Sequence, residues 1–151
     1  MIRERRIAEE IAREAGLVLQ QHYRSSGQER IEVKGLARDL VTEADRASET
    51  VILDRLRREF PGDAIVSEES SPERRTAGRV WFVDPLDGTV NFAHGVPVFS
   101  VSIGLAVDGE PVAGVVHAPL LRETFSDARS ASVTRSRARP FTSMRSCPEE
   151  R

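Results

Sequence analysis

The stretch Val80-Trp81-Phe82-Val83-Asp84-Pro85-Leu86-Asp87-Gly88-Thr89-Val90-Asn91-Phe92 decides how the chain is read: an apolar, β-like run ends in two carboxylates and then in a glycine turn. Two acids at the end of a buried strand are costly unless something positive binds there. Asp84 and Asp87, with the carbonyl of Leu86 between them, offer only hard oxygen donors, a set that suits Mg²⁺ rather than zinc or copper. Pro85 has no N–H, so the strand is expected to stop there. Gly88 and Thr89 should open a tight turn into a helix N-terminus, whose free backbone N–H groups favour an anion such as phosphate. Asp-Gly is also a common turn dipeptide, and Asp, Thr and Asn can all fill turn or cap positions without any chemistry.

Two upstream segments shift that balance. Ala64-Ile65-Val66-Ser67-Glu68-Glu69-Ser70 is a short β-like run that ends in paired acids; read plainly, it is a strand running into a solvated loop. In Lys34-Gly35-Leu36-Ala37-Arg38-Asp39-Leu40-Val41-Thr42-Glu43-Ala44-Asp45, Thr42 and Asp45 fit a variant of the helix-start pattern, so a capping role stays open for both. Lys34 is the single lysine among 22 Lys and Arg residues. A compact, strongly hydrated ammonium beside an acidic motif suits a point charge near phosphate.

Together, Lys34 with Asp39-Leu40-Val41-Thr42 and Asp45, then Glu68-Glu69-Ser70, then Asp84 to Phe92 resemble the inositol monophosphatase family of Mg²⁺-dependent, lithium-sensitive phosphatases. The resemblance runs from the first helix to about His117. It implies that Glu68, Asp84, Asp87 and the Leu86 carbonyl hold metal ions, and that Thr89 with Glu68 activates the attacking water. It further implies that Asp87, Gly88 and Thr89 bind the substrate phosphate, and that Asp45 and Lys34 lie in a mobile loop on the metal side. Ser67 stands where the family commonly has Gly before the acidic pair. Paired metals about 3.5–4 Å apart suit an in-line displacement at phosphorus, with no Ser-His-Asp or Cys-His arrangement required. Consistently, His22, His94 and His117 are scattered and Cys147 is alone.

The expected activity is hydrolysis of a small phosphate monoester on a polyol or sugar, inositol monophosphate first. A 3′(2′),5′-bisphosphate nucleotidase or a histidinol-phosphate phosphatase is the alternative enzyme, and an inactive fragment or interaction module the alternative of another class. The net charge of −2 argues against a general nucleic-acid or membrane bias. One cysteine excludes an internal disulfide framework, no apolar run approaches the roughly 18 residues of a membrane span, and a cytoplasmic protein is expected.

For the fold, Ile7, Ala8, Ile11, Ala12, Ala15, Val18 and Leu19 recur at helical spacing, giving an amphipathic first helix that ends by Gly27. A second helix is expected from about Glu43 to Phe60, with Ala47, Val51, Leu56 and Phe60 inward and Pro61-Gly62 as the stop. Residues 98–107 and 111–116 flank Asp108-Gly109-Glu110, a strong hairpin signal. Helices first and hairpins later point to an α/β fold of the α+β kind, with an antiparallel or mixed sheet covered by helices. That is the N-terminal part of the layered αβαβα sandwich the resemblance implies.

The family-like text ends near Leu120, so residues 1–120 are expected to form the domain and 121–151 a tail. From Ala128 to Cys147 arginines alternate with Ser, Thr and Ala without period or acid, a composition that predicts disorder. The family's second half, with a further metal-binding Asp in a Trp-Asp motif, has no counterpart here, because Trp81 precedes Phe82. A truncation, a reading-frame shift in an Arg-rich coding region and a deliberately short protein are all open. Exposed apolar strand surface from Val98 to Val116 would then seek a partner, so a homodimer or aggregation is expected.

Overall fold

A computed structural model of the chain describes residues 1–25, 36–67 and 77–129, the side chains of 36–40 aside. Two long helices come first, α1 (Ile2–Ser25) and α2 (Leu36–Glu59). Strands β1 (Ala64–Ser67) and β2 (Arg79–Asp87) follow, then the single-turn helix α3 (Thr89–Ala93), and then β3 (Ser100–Val107), β4 (Glu110–Ala118) and β5 (Glu123–Ala128). The five strands form one sheet in sequence order. β1 runs parallel to β2 and every other pairing is antiparallel, so the sheet is mixed.

Both helices pack on one face of this sheet. On α1 the inward stripe is Ile7, Ala8, Ile11, Ala12, Ala15, Gly16 and Leu19, while Val18 is only half-buried. Full burial of a side chain such as Ile11 or Leu19 contributes about 1.5–3 kcal/mol. From the sheet, Trp81, Val83, Val101, Ile103, Leu105 and Val115 meet them in a single core.

Helix α2 begins at Leu36, well before Glu43, so Thr42 and Asp45 lie inside it and neither caps its start. Its buried face is Ala44, Asp45, Ser48, Ile52 and Leu56, whereas Ala47 and Val51 are half-buried. Apolarity alone favours Ala47 over Ser48. The face is instead rotated toward Ser48 because that hydroxyl finds a partner inside, as described below.

The hairpin between β3 and β4 turns at Asp108 (φ 51°) and Gly109 (φ 81°). Two consecutive left-handed residues define the tight turn whose twist matches its flanking strands. Strand β5 lies past the expected boundary at residue 120 and extends the sheet by a full antiparallel pairing with β4. Side chains fasten it to α1: Ser126 Oγ donates to Glu9 Oε1 at 2.6 Å, and Gln20 Nε2 donates to the Pro119 carbonyl at 2.6 Å. The Arg-rich segment 130–151 lies outside the described residues.

At the centre of this fastening Gly16 lets α1 approach His117 closely. A Cβ on Gly16 would sit 2.7 Å from His117 Cδ2 and 3.1 Å from Pro119 Cβ. His117 Nδ1 lies 3.0 Å from the Glu123 carbonyl and 2.9 Å from Thr124 Oγ1. Burial lowers the His117 pKa below its ordinary 6.5.

Two outcomes follow from this contact. Gly16→Ala should cost about 1–3 kcal/mol in denaturant unfolding, because a ring and a proline must shift to admit one methyl. Since the folded state disfavours the imidazolium, the unfolded chain takes up the proton more readily. Stability is therefore full above about pH 6.5 and declines as pH falls toward the lowered folded value. Denaturation curves between pH 7.5 and 5 should show this slope, and His117→Gln should flatten it.

Candidate active site

Strand β2 does not stop at Pro85. Its pairing with β3 runs from Asp84↔Ser102 to Asp87↔Ser100, with a register shift between, so three steps on β2 oppose two on β3. This is a β-bulge, a place where a residue without an N–H is tolerated because the ladder is already interrupted. In a regular strand residues three apart point to opposite faces. Here the extra residue brings both aspartates into register with Ser100 and Ser102, which share one face, so Asp84 and Asp87 share it too.

That face is the one opposite the two helices. Leu86 and Pro85 are buried, Asp84 is half-buried and Asp87 is exposed. Asp84 Oδ1 accepts the Leu86 N–H at 3.2 Å, and Asp87 Oδ2 accepts from Ser100 Oγ at 3.2 Å. Asp84 also borders a shallow depression of about 1040 Å³ on the open face, with Ser102, Phe82, Val116, Phe125 and Asp127 along it. Phe125 is 63% exposed.

Directly after Asp87 the chain turns at Gly88 (φ 90°), which caps α3 through its backbone, and the Phe92 N–H closes the first helical bond on its carbonyl at 3.0 Å. Thr89 is thus the first helical residue, not the cap, and its side chain is exposed. The turn is held from behind by an aromatic cluster. Phe92 lies 4.9 Å from Phe99 and 5.6 Å from Tyr23, whose hydroxyl donates to the Gly95 carbonyl at 2.6 Å. Asn91 Nδ2 donates to the Val98 carbonyl at 2.8 Å.

From α2, Asp45 is buried one helical turn before Ser48 on the same face. Ser48 Oγ donates to the Pro85 carbonyl at 2.8 Å, so this face of α2 is the one turned to the bulge. Lys34 and Glu68 lie outside the described residues. Among the described residues no three His, Cys, Asp or Glu side chains come together as a metal cage. What the structure brings to one place is Asp84, Leu86, Asp87, Gly88 and Thr89. These supply only oxygen ligands and backbone N–H groups, a donor set that fits a hard divalent cation next to an anion. Ser48, Glu49, Ser67, Ser100 and Ser102 also reach this region. The serine among the apolar residues of α2 and the Ser-x-Ser alternation in β3 were the available signals for them.

Comparison with known proteins agrees with this geometry. The chain belongs to the inositol monophosphatase family, whose model matches residues 3–143. It is 46% identical over 110 residues to an inositol-1-monophosphatase of Synechocystis, covering 72% of this chain and 38% of that protein. To a histidinol-phosphatase of Mycobacterium tuberculosis it is 47% identical over 89 residues, covering 59% of this chain and 34% of that one. The structure of inositol monophosphatase from Anabaena superposes with a TM-score of 0.68 at 41% identity, over 82% of this chain and 43% of that chain. The chain thus spans less than half the length of these relatives.

The glycine at position 88 is required twice over. Its φ lies in the left-handed region, and a Cβ there would sit 3.1 Å from the Val98 carbonyl oxygen. Gly88→Ala should therefore lower unfolding free energy by about 1–2 kcal/mol or more, read by denaturant titration. Gly62→Ala, where a Cβ meets nothing within 4 Å, serves as the comparison.

Proposed function

We propose that this chain carries the metal- and phosphate-binding half of a Mg²⁺-dependent phosphomonoesterase acting on a small phosphorylated polyol, inositol monophosphate first. The observation that carries the reading is the bulge at Pro85, which sets Asp84 and Asp87 on one face immediately before the Gly88 turn. Asp84, Asp87 and the Leu86 carbonyl, with Glu68, would hold the ion. Bound there, Mg²⁺ supplies positive charge to the phosphate oxygens and lowers the pKa of water.

The remaining steps fall to the chain itself. The N–H groups of Gly88 and Thr89 belong to the first turn of α3, where no intrahelical acceptor exists, and they point the phosphate into the site. The exposed Thr89 hydroxyl, with Glu68 as base, orients the attacking water and takes part in moving its proton. Asp45 and Lys34 supply charge at the metal side. The M. tuberculosis relative supports histidinol phosphate as the second substrate reading. We also infer a cytoplasmic protein, from its single cysteine and a phosphorylated metabolite as substrate. A homodimer formed through the exposed Phe82, Val116 and Phe125 completes the reading.

The metal part is tested on the chain itself by melting over a Mg²⁺ series. Ligand linkage gives about 2.7 kcal/mol of stabilisation at a hundredfold excess over Kd. Asp84→Asn should abolish the shift, and a wild-type melting temperature indifferent to Mg²⁺ would count against the site. In a version extended to the length of its relatives, Thr89→Ala should lose about 10²–10⁴-fold in turnover of inositol monophosphate. It should do so with fold and Mg²⁺ response intact.

A further inference from the structure

We propose that Ser48 and Glu49, consecutive residues of α2, are positioning residues that fix the end of β1 and the bulge of β2 relative to one another, and through the bulge Asp84 and Asp87. This rests on the metal-site reading above. Its starting point is that the last ladder pair between the two strands is Ser67↔Val83. Beyond that pair β1 has ended and β2 enters its bulge, so the sheet itself no longer relates the two strand ends. Yet it is here that β2 carries Asp84 and Asp87.

Helix α2 spans the gap with two hydrogen bonds. Ser48 is fully buried, and its Oγ donates to the Pro85 carbonyl at 2.8 Å. Pro85 is the residue between the two aspartates where the ladder is interrupted. One residue on, Glu49 Oε1 accepts from Ser67 Oγ at 2.5 Å, and Ser67 is itself buried. A helical serine or threonine can satisfy its hydroxyl on its own helix, as Thr50 does with the Arg46 carbonyl at 2.8 Å. Ser48 instead reaches outward, to a carbonyl the bulge has taken out of the ladder. A buried hydroxyl and a carboxylate are poor choices for plain packing, since each carries a desolvation cost that an alanine would avoid. Their use at adjacent positions, aimed at two different strand ends, is what a clamp requires.

The test separates position from stability. In the full chain, Ser48→Ala, Glu49→Ala, Ser67→Ala and Ser67→Thr are compared with Ile52→Val, a core change on the same helix that removes neither hydrogen bond. Mn²⁺ binding is read by electron paramagnetic resonance, with Mg²⁺ as competitor, at a temperature where every variant is folded. Ser48→Ala, Glu49→Ala and Ser67→Ala should each weaken Mn²⁺ binding by about tenfold or more, as loss of groups that orient metal ligands does. Ser67→Thr, which keeps the hydroxyl, should retain affinity. Ile52→Val should lower the melting temperature and leave affinity unchanged. Affinities within about twofold of wild type for Ser48→Ala and Glu49→Ala, or an Ile52→Val affinity that falls in step with stability, would overturn the clamp while leaving the metal reading standing. A wild-type chain that binds no Mn²⁺ would overturn the metal reading and the clamp with it.

Discussion

The extra residue that β2 carries between Asp84 and Asp87 is the constraint on which the rest of the site depends. Without it, two aspartates three apart would face opposite sides of the sheet, one of them pressed into the apolar core beneath α1 and α2. With it, Leu86 goes inward, both carboxylates go outward, and the strand is bent toward the Gly88 turn. Pro85 is tolerated because the ladder is broken at that point. Ser48 then supplies the Pro85 carbonyl with a partner from outside the sheet.

Around that point the packing divides the sheet into two unlike faces. The helix face holds Trp81, Val83, Val101, Ile103 and Val115 against the alanine-rich stripe of α1. The opposite face carries Phe82, Asp84, Ser102, Val116 and Phe125, a mixture of apolar and polar groups beside a shallow depression. Alternation along the strands produces this division. The Gly104↔Gly114 pair across β3 and β4 leaves the middle of the open face low.

Much of this was legible in the sequence, for definite reasons. The period of α1, the Asp108-Gly109 turn and the mixed sheet all follow from local patterns that tertiary packing did not override. The acidic motif was legible as two carboxylates at the end of an apolar run, a costly arrangement unless something positive binds there. The strand's course through Pro85 was not, since a proline signals an interruption without saying whether the chain leaves the sheet or bulges and stays. On the inner face of α2 and just past its end, Leu56 and Phe60 are buried as expected, but Ala47 and Val51 were read one position early. Hydrophobicity favours Ala47 over Ser48, whereas Ser48 is inside because of a carbonyl 37 residues away. Strand β5 escaped notice for a similar reason. Glu123-Thr124-Phe125-Ser126-Asp127 has little apolar alternation, and what secures it is bonding to α1 and β4.

That last attachment has a consequence for how the chain assembles during synthesis. Glu9 and Ser126 are bonded across a separation of 117 residues, and Gln20 and Pro119 across 99. Strands β2 to β5 each pair with their neighbour in sequence, so the sheet can grow as it emerges by closing short loops. Among the described elements α1 is made first, and its stripe from Ile7 to Leu19 has no β4 or β5 to rest on until nearly all the described chain has been translated. The earliest of the described elements is therefore among the last to reach its final packing, and through that interval its apolar stripe has α2 and later β3 to rest on, and otherwise solvent.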